Sequence, residues 1–577
     1  MTTSVDTTTG PSSADVSLQK AEWQQVLFAE QPRWSDLMRL TPSWPCRPLA
    51  LRVYRNHAFE FIATAMQPFA AYAGLSVEIE YGDYDDSLGV SPAEPVDATI
   101  VWFDFRRYRE RLDAPSLAGW LGERLVAMRS VEAGPILVTN WDAEDDDAIE
   151  FNQRLLALTK DLPGIYLCDL REIAIALGNG YTDLRASRFT GTYLSAAAST
   201  LIARRFGFRW LPGVLTPRLK AVAVDLDNTL YDGVLGEDGP TRLRLSEGHA
   251  DLQRRLLRLR DDGIFLAAVS RNDPRDVELL WEARDDFPLR PEHLSAQAVS
   301  WDAKSVAMET IAQRLRIGVD AILFVDDNPG ELASVASAHP HMPTLHATTP
   351  VETLRALDLF PGLWQGRASE TDALRIADLQ ASTERKALEA ATDDPWEYLR
   401  TLRARLILAL NPEDQIDRLH ELSTKTNQFN LALRRLSAVE VTRRVQDPEH
   451  GVVSIRLSDR LSDSGIVGTL FAHHDGDALV VDDLCISCRA LGRQLEDVMI
   501  SEAISLVLER LPASRVTFAF TAGPRNEPAR SWLERFGEQA VSADKMQVTV
   551  DWDDKAREIA AAALPVTIER EGNEEVG

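Results

Sequence analysis

Cysteine is scarce. Cys46, Cys168, Cys485 and Cys488 are the four in 577 residues, too few and too scattered for a disulfide framework in so long a chain, and a reducing cytoplasm is the expected setting. Long apolar runs are missing as well, since none approaches the roughly 18 to 20 residues that a membrane span needs. No fixed-period repeat or long low-complexity segment is present, so repeat architectures are not expected. Positive charge is short: 62 Lys and Arg stand against 89 Asp and Glu, for a net charge of −27. That balance opposes non-specific binding to nucleic acid or to anionic membranes. It leaves room for an acidic protein partner only at a local basic patch.

What is present is ordinary globular composition, with 45% hydrophobic and 26% charged residues, at a length that implies two to four domains. Residues 1–20 are Thr/Ser-rich with neither a basic start nor an apolar core, which predicts a disordered leader rather than a secretory signal. Residues 21–212 alternate short apolar runs (Leu51–Tyr54, Ala98–Trp102, Ile136–Thr139, Gly164–Cys168) with helical spacings, the pattern of an α/β domain with a largely parallel sheet. Two prolines and a glycine in Leu211–Pro217 mark a boundary. A second α/β series fills 218–362, with buried strands expected at 219–224, 264–269 and 321–325. Charged, Ala-rich residues 363–395 predict a connecting helix. Residues 396–553 read as a mixed α+β domain, with a helix from Arg493 to Leu511, and 554–577 as an acidic tail.

The three strands of the middle domain each run directly into polar residues: Asp225-Leu-Asp227-Asn-Thr229, Ser270-Arg-Asn272 and Asp326-Asp327-Asn328. In open parallel sheets ligands bind beyond the carboxyl ends of the strands. Four carboxylates converging there repel one another, and a hard divalent cation with oxygen ligands, Mg²⁺, resolves this; Asp225, Asp227, Asp326 and Asp327 are the expected ligands. Asp225 is placed to attack phosphorus and Asp227 to exchange a proton. Ser270 and Lys304 are expected on the phosphoryl oxygens, with Thr229 and Asn272 beside them.

These segments, in this order, resemble the four motifs of the haloacid-dehalogenase (HAD) phosphotransferases. The resemblance implies Asp225 as nucleophile, Asp227 as general acid/base, Ser270 and Lys304 as phosphate ligands, and Asp326 and Asp327 as metal-side acids. Asp227–Gly239, Ser270–Pro274, Trp301–Lys304 and Phe324–Pro329 resemble more closely the FkbH-like family. Tyr231-Asp232 departs from the Trp-Gly usual there, and Ala303 from a usual Pro. Lys425–Asn430, Asp463–Gly468 and Ser487–Arg493 also match that family, so the resemblance spans roughly 218–550.

By the same resemblance the last domain is a GNAT-type acyltransferase. Its loop Arg489-Ala-Leu-Gly492-Arg493 would grip a phosphopantetheine phosphate at a helix start, with Gln494 where a small residue is usual. Cys488, beside Arg489 and just before that loop, sits where a thiolate is favoured, and the resemblance makes it the carrier of an acyl thioester; Cys485 reads as buried and inert. Asn427 and Gln428 are expected on the acyl-site wall, with helix-end capping as the equal alternative. Arg434, Arg435, Arg443 and Arg444 are a basic stretch suited to an acidic carrier protein or to a solvated helix face. The first domain resembles an SGNH hydrolase but has Asn56-His57 after its first strand and Ala186 three residues after Asp183, so it is expected to be inactive, with Asn56 and Asn140 as pocket candidates and a scaffold or carrier-docking role preferred.

The family implies transfer of a glyceryl unit from 1,3-bisphosphoglycerate to a phosphopantetheinylated acyl carrier protein. Two alternatives stand beside it: an Mg²⁺-dependent phosphatase with a degenerate acyltransferase appendage, and a non-catalytic carrier-protein scaffold.

Overall fold

The computed structural model describes residues 11–571 except 91–93, 186, 365–369, 393–394, 524, 537–539, 543 and 553–564. The chain divides into two compact units, Met1–Ala368 and Ser369–Gly577.

The first unit holds two parallel sheets. One contains β1 (Arg47–Arg55), β2 (Leu75–Tyr84), β3 (Ala98–Trp102), β4 (Ile136–Thr139) and β5 (Ile165–Cys168) in the order β2-β1-β3-β4-β5. Every residue of β3 and β4 is buried, as expected where helices cover both faces of a parallel sheet. The other contains β6 (Ala221–Val224), β7 (Phe265–Ser270), β8 (Ala296–Val299), β9 (Ile322–Asp326) and β10 (Thr344–His346) in the order β10-β9-β6-β7-β8. Because β6 is central and flanked by β9 and β7, the residues leaving these three strands emerge side by side.

Residues 13–20, expected as part of a leader, are helical. Ser12 caps a helix Ser13–Leu27 reciprocally with Asp15. Its apolar residues at Val16, Trp23 and Leu27 follow helical spacing, which the Thr/Ser-rich composition around them obscured. The helix is fastened to the second sheet: Ser17 and Thr344 hydroxyls lie 2.9 Å apart, and Gln24 accepts the His346 N–H at 2.9 Å. Trp23, Leu27 and Phe28 share one core with Tyr72 and Phe208 on one side and Val222, Leu323 and Phe360 on the other.

The second unit is built on β11 (Arg405–Leu410), β12 (Phe429–Asn430), β13 (His450–Ser458), β14 (Asp463–Asp475), β15 (Ala478–Ile486), β16 (Arg515–Thr521), β17 (Ala540–Ser542), β18 (Lys545–Asp551) and β19 (Thr567–Glu571). Their order is β17-β18-β16-β15-β14-β13-β11-β19, with β12 added against β15. Part of the expected tail is therefore an edge strand: β19 pairs in parallel with β11 from Arg405–Thr567 to Ala409–Glu571, and Arg570 reaches Glu502 at 3.1 Å. Residues 554–564 and 572–577 of that tail lie outside the described residues. The expected connecting helix, seen at Glu370–Ala390, is built into this unit through buried Asp378 and Arg385. Among the described residues no helix is long and apolar enough to cross a membrane.

Candidate active site

Asp225 follows β6 directly, and its N–H donates to the Val325 carbonyl of β9 at 2.9 Å. Asp326 closes β9, and Lys304 opens the helix Lys304–Leu315 that follows β8. The Lys304 ammonium lies 2.8 Å from Asp225 Oδ1 and 2.5 Å from Asp326 Oδ2, and all three side chains are buried. Oxygens of Asp225, Asp326 and Asp327 lie within 4.8 Å of one another. Three carboxylates against one ammonium leave excess negative charge among oxygen donors only, which fits a hard divalent cation such as Mg²⁺. Burial pushes the Asp225 carboxyl up to about 7 against the pull of Lys304. It raises Asp326 and Asp327 as well. Although burial works against its charge, Asp225 and Asp326 hold the Lys304 ammonium above its ordinary value.

Asp227, expected among the cation ligands, stands outside that group. Its Oδ1 accepts from the Tyr231 hydroxyl at 2.7 Å and the Leu235 N–H at 3.0 Å, and its Oδ2 from Asn272 Nδ2 at 2.8 Å. Asn272 also donates to Ser270 Oγ at 2.8 Å, so the acid/base candidate and the phosphate candidate share one amide. The Thr229 hydroxyl is buried without a partner, an acceptor or donor left for a ligand. The turn that brings Tyr231 back over Asp227 needs Asn228 in the left-handed region (φ 54°) and Gly233 at φ 122°. A Cβ at Gly233 would meet Leu243 Cδ2 at 2.9 Å. Motif spacing missed two participants: Tyr231, whose hydroxyl holds Asp227, and His346, whose Nε2 lies 3.0 Å from the Asp327 carbonyl oxygen. Tyr231 was visible as a departure from the FkbH-like pattern that the segment resembles; His346 gave no local signal.

In the second unit Cys485 is fully buried on β15, and burial pushes its thiol well up. Cys488 is only partly buried, in the turn just past the strand. β12 pairs Phe429 with Ile486 and Asn430 with Cys485. The next residues outward are Gln428 and Asn427 on one strand and Ser487 and Cys488 on the other, so the structure brings these candidates to one end of β15. Asn427 and Gln428 are exposed.

Other expectations here are corrected. The helix begins at Glu496, not Arg493, eight residues after Cys488. Arg493 is buried and donates to Asp378 at 3.0 Å, Ser464 at 2.9 Å and Asp459 at 3.3 Å, so its guanidinium is a structural tie rather than a phosphate ligand. The Gly492 N–H is taken by Glu496 Oε1 at 2.6 Å. Burial, with Arg418 and Arg375 adding repulsion, pulls Arg489 down to about 10. The basic stretch is partly tied down: Arg434 and Arg444 pair with Asp482 at 3.1 and 2.6 Å, while Arg434 and Arg443 are exposed. Arg435 donates to the Ser423, Thr424 and Thr426 carbonyls and to Asn427 Oδ1, closing the end of helix Ile416–Lys425.

In the first sheet both ends of each candidate amide are spent. Asn56 holds Asp86 at 3.1 Å and the Asp104 N–H at 2.7 Å. Asn140 holds Asp169 at 2.7 Å and the Leu170 N–H at 2.8 Å. These are loop clamps, not pocket walls.

No family model matches the chain, and no curated protein matches it. Solved structures do resemble it. The N-terminal part of a Bacteroides fragilis protein, containing a phosphatase domain complexed with Mg, is 19% identical, with 60% of this chain and 99% of that one covered and a TM-score of 0.46. Mutant forms of the spermidine/spermine N-acetyltransferase SpeG from Vibrio cholerae are 11% identical, covering 27% and 98%, with a TM-score of 0.21. Apo FdhC, a nucleotide-linked sugar GNAT, is 17% identical, covering 28% and 97%, with a TM-score of 0.22. Likeness at this distance carries no function across; that rests on the side chains above.

Proposed function

We propose that this chain is an Mg²⁺-dependent phosphoryl-transfer enzyme whose second unit accepts an acyl group on Cys488, and that it loads a glyceryl unit from 1,3-bisphosphoglycerate onto a phosphopantetheinylated acyl carrier protein. The constellation of buried Asp225, Asp326 and Lys304 with partly buried Asp327 is the observation that carries the reading. In the first unit an Asp225 oxygen bonds to phosphorus while the bond from phosphorus to the glyceryl oxygen breaks, and Asp227 gives the departing oxygen its proton. Water then attacks the aspartyl phosphate, returns a proton to Asp227 and releases phosphate. Bound Mg²⁺ would supply neutralisation of the clustered carboxylates and phosphoryl oxygens. In the second unit the Cys488 thiolate attacks the acyl carbon, phosphate leaves from the acyl phosphate, and a thioester forms that the carrier thiol takes over.

Partial exposure of Cys488 beside Asn427 and Gln428 supports the acyl role. The engaged Arg493 and Gly492 N–H favour a second reading, a phosphatase whose second unit does not transfer acyl groups, because the loop offers few free donors to a pantetheine phosphate. The deciding experiment gives the protein Mg²⁺ and 1,3-bisphosphoglycerate, with and without holo carrier, and weighs protein and carrier by mass spectrometry. A hydroxylamine-labile glyceryl mass on the protein, absent in Cys488→Ala but kept in Cys485→Ala, and its passage to the carrier, are expected. Phosphate release with neither mass gain leaves the phosphatase reading.

A further inference from the structure

Residues 183–185 and 187–193 lie at the carboxyl end of the first sheet and are tied down at their base. The Asp183 N–H donates to the Tyr193 carbonyl at 2.8 Å, Thr182 and Leu194 form an antiparallel bridge, and the Ala58 N–H donates to the Gly191 carbonyl at 3.1 Å. Below it, Tyr193 donates to Asp142 at 2.6 Å while the Arg106 guanidinium lies 3.1 Å from the centre of the Tyr193 ring. On this anchored base stand Leu184, 71% exposed, and Phe189, 92% exposed. Arg185 and Arg188 beside them are exposed too; of the carboxylates at the base, Asp183 accepts the Arg185 N–H at 3.1 Å and Asp142 is engaged by the Tyr193 hydroxyl.

An exposed Leu and Phe on an anchored base, flanked by cations on a chain whose net charge is −27, make an apolar, basic spot on an acidic protein. Exposed apolar groups clustered in this way mark interaction sites, and charge complementarity selects the partner. We infer that Leu184 and Phe189, with Arg185 and Arg188, are the docking surface for an acidic protein, which under the function proposed above is the phosphopantetheinylated carrier. A second copy of this chain fits poorly, because a two-fold contact would bring the same arginines together at its centre and two strongly acidic bodies behind them.

The test uses the full chain and a labelled holo acyl carrier protein. Leu184→Ser with Phe189→Ser, and separately Arg185→Glu with Arg188→Glu, are surface changes and should melt with the parent. Each pair is expected to weaken carrier binding and raise the KM for carrier by about tenfold or more, and parental binding should weaken as salt rises. Variants that bind and load the carrier like the parent overturn the surface while leaving the proposed function standing. A parent that neither binds nor loads carrier overturns both. Sedimentation showing a parental dimer that the same substitutions dissociate would make the occupant a second copy and overturn the inference.

Discussion

The hydroxyl of fully buried Tyr231 donates to Asp227 Oδ1 at 2.7 Å. With the Leu235 N–H on the same oxygen, this fixes which side of the carboxylate faces Asn272 and Ser270. The phenol ring is itself held against Phe287, 5.7 Å between centres. Tyr231→Phe keeps the ring and removes one bond to a charged acceptor, an interaction of about 1.5–3 kcal/mol. Phosphate release should slow by about tenfold, the rate equivalent of some 1.4 kcal/mol, with KM nearly unchanged because the Tyr231 hydroxyl is committed to Asp227. Steady-state phosphate release reads both constants; an equal fall in kcat and rise in KM would assign Tyr231 to substrate binding instead.

Lys304 balances Asp225 and Asp326 at the same time. Lys304→Met leaves two buried carboxylates without their cation, and breaking a buried pair from one side costs about 3–5 kcal/mol. The metal-free variant should melt well below the metal-free parent. Added Mg²⁺ should recover part of that loss, since a ligand that binds only the folded state stabilises it, and it should also raise the melting temperature of the parent. Asp326→Asn removes one carboxylate charge and should shrink the Mg²⁺-dependent shift. Thermal melting with and without Mg²⁺ checks all three; a parent insensitive to Mg²⁺ would refute the cation assignment.

Asp225, Ser270 and Asp326 were legible because each directly follows or closes a buried apolar strand, and a polar residue at that point can hardly be anything but a sheet-end group. The strand Leu75–Tyr84 was not legible. It lies at the edge of its sheet and carries Glu78 and Glu80 on its open face, so it lacks the continuous apolar run of its neighbours. Helix Ser13–Leu27 was hidden by the composition before it, although its capping pair Ser12 and Asp15 was there to be read. Arg493 was misread for a different reason: its partner Asp378 lies 115 residues away. A motif records which residues stand together in the chain, whereas this ion pair is decided by how a distant helix packs. The pairing of Arg405 with Glu569 across 164 residues, which turns part of a tail into a strand, was out of reach for the same reason.

Arg493 and Arg385 alternate with Asp378 and Asp459 in one buried network. Arg493→Leu leaves the two aspartates with a single arginine, again a loss of about 3–5 kcal/mol. Two units can unfold separately, so calorimetry is the suitable measurement. The transition belonging to the second unit should fall while that of the first stays in place. If Arg493 were instead a phosphate ligand, its loss would leave melting unchanged and only weaken the effect of carrier.

Lys20 lies against the rings of Trp44 and Tyr72, 5.2 and 5.3 Å from their centres, and burial pulls its ammonium from 10.5 down to about 8, with the nearby Cys46 opposing. Because the folded protein binds this proton less tightly than the unfolded chain does, folding is penalised below pH 8, and the penalty fades as pH rises from about 8 toward 10.5. Contact of the cation with the two rings offsets part of that cost. Lys20→Met keeps the packing of the stem and removes the charge. The variant should therefore melt higher than the parent at pH 7, by about 2 °C or more, and the difference should narrow as pH passes 8. Melting curves of both proteins across that range test the sign as well as the size: a variant that is less stable at pH 7 would mean that the ring contacts outweigh the burial of the charge.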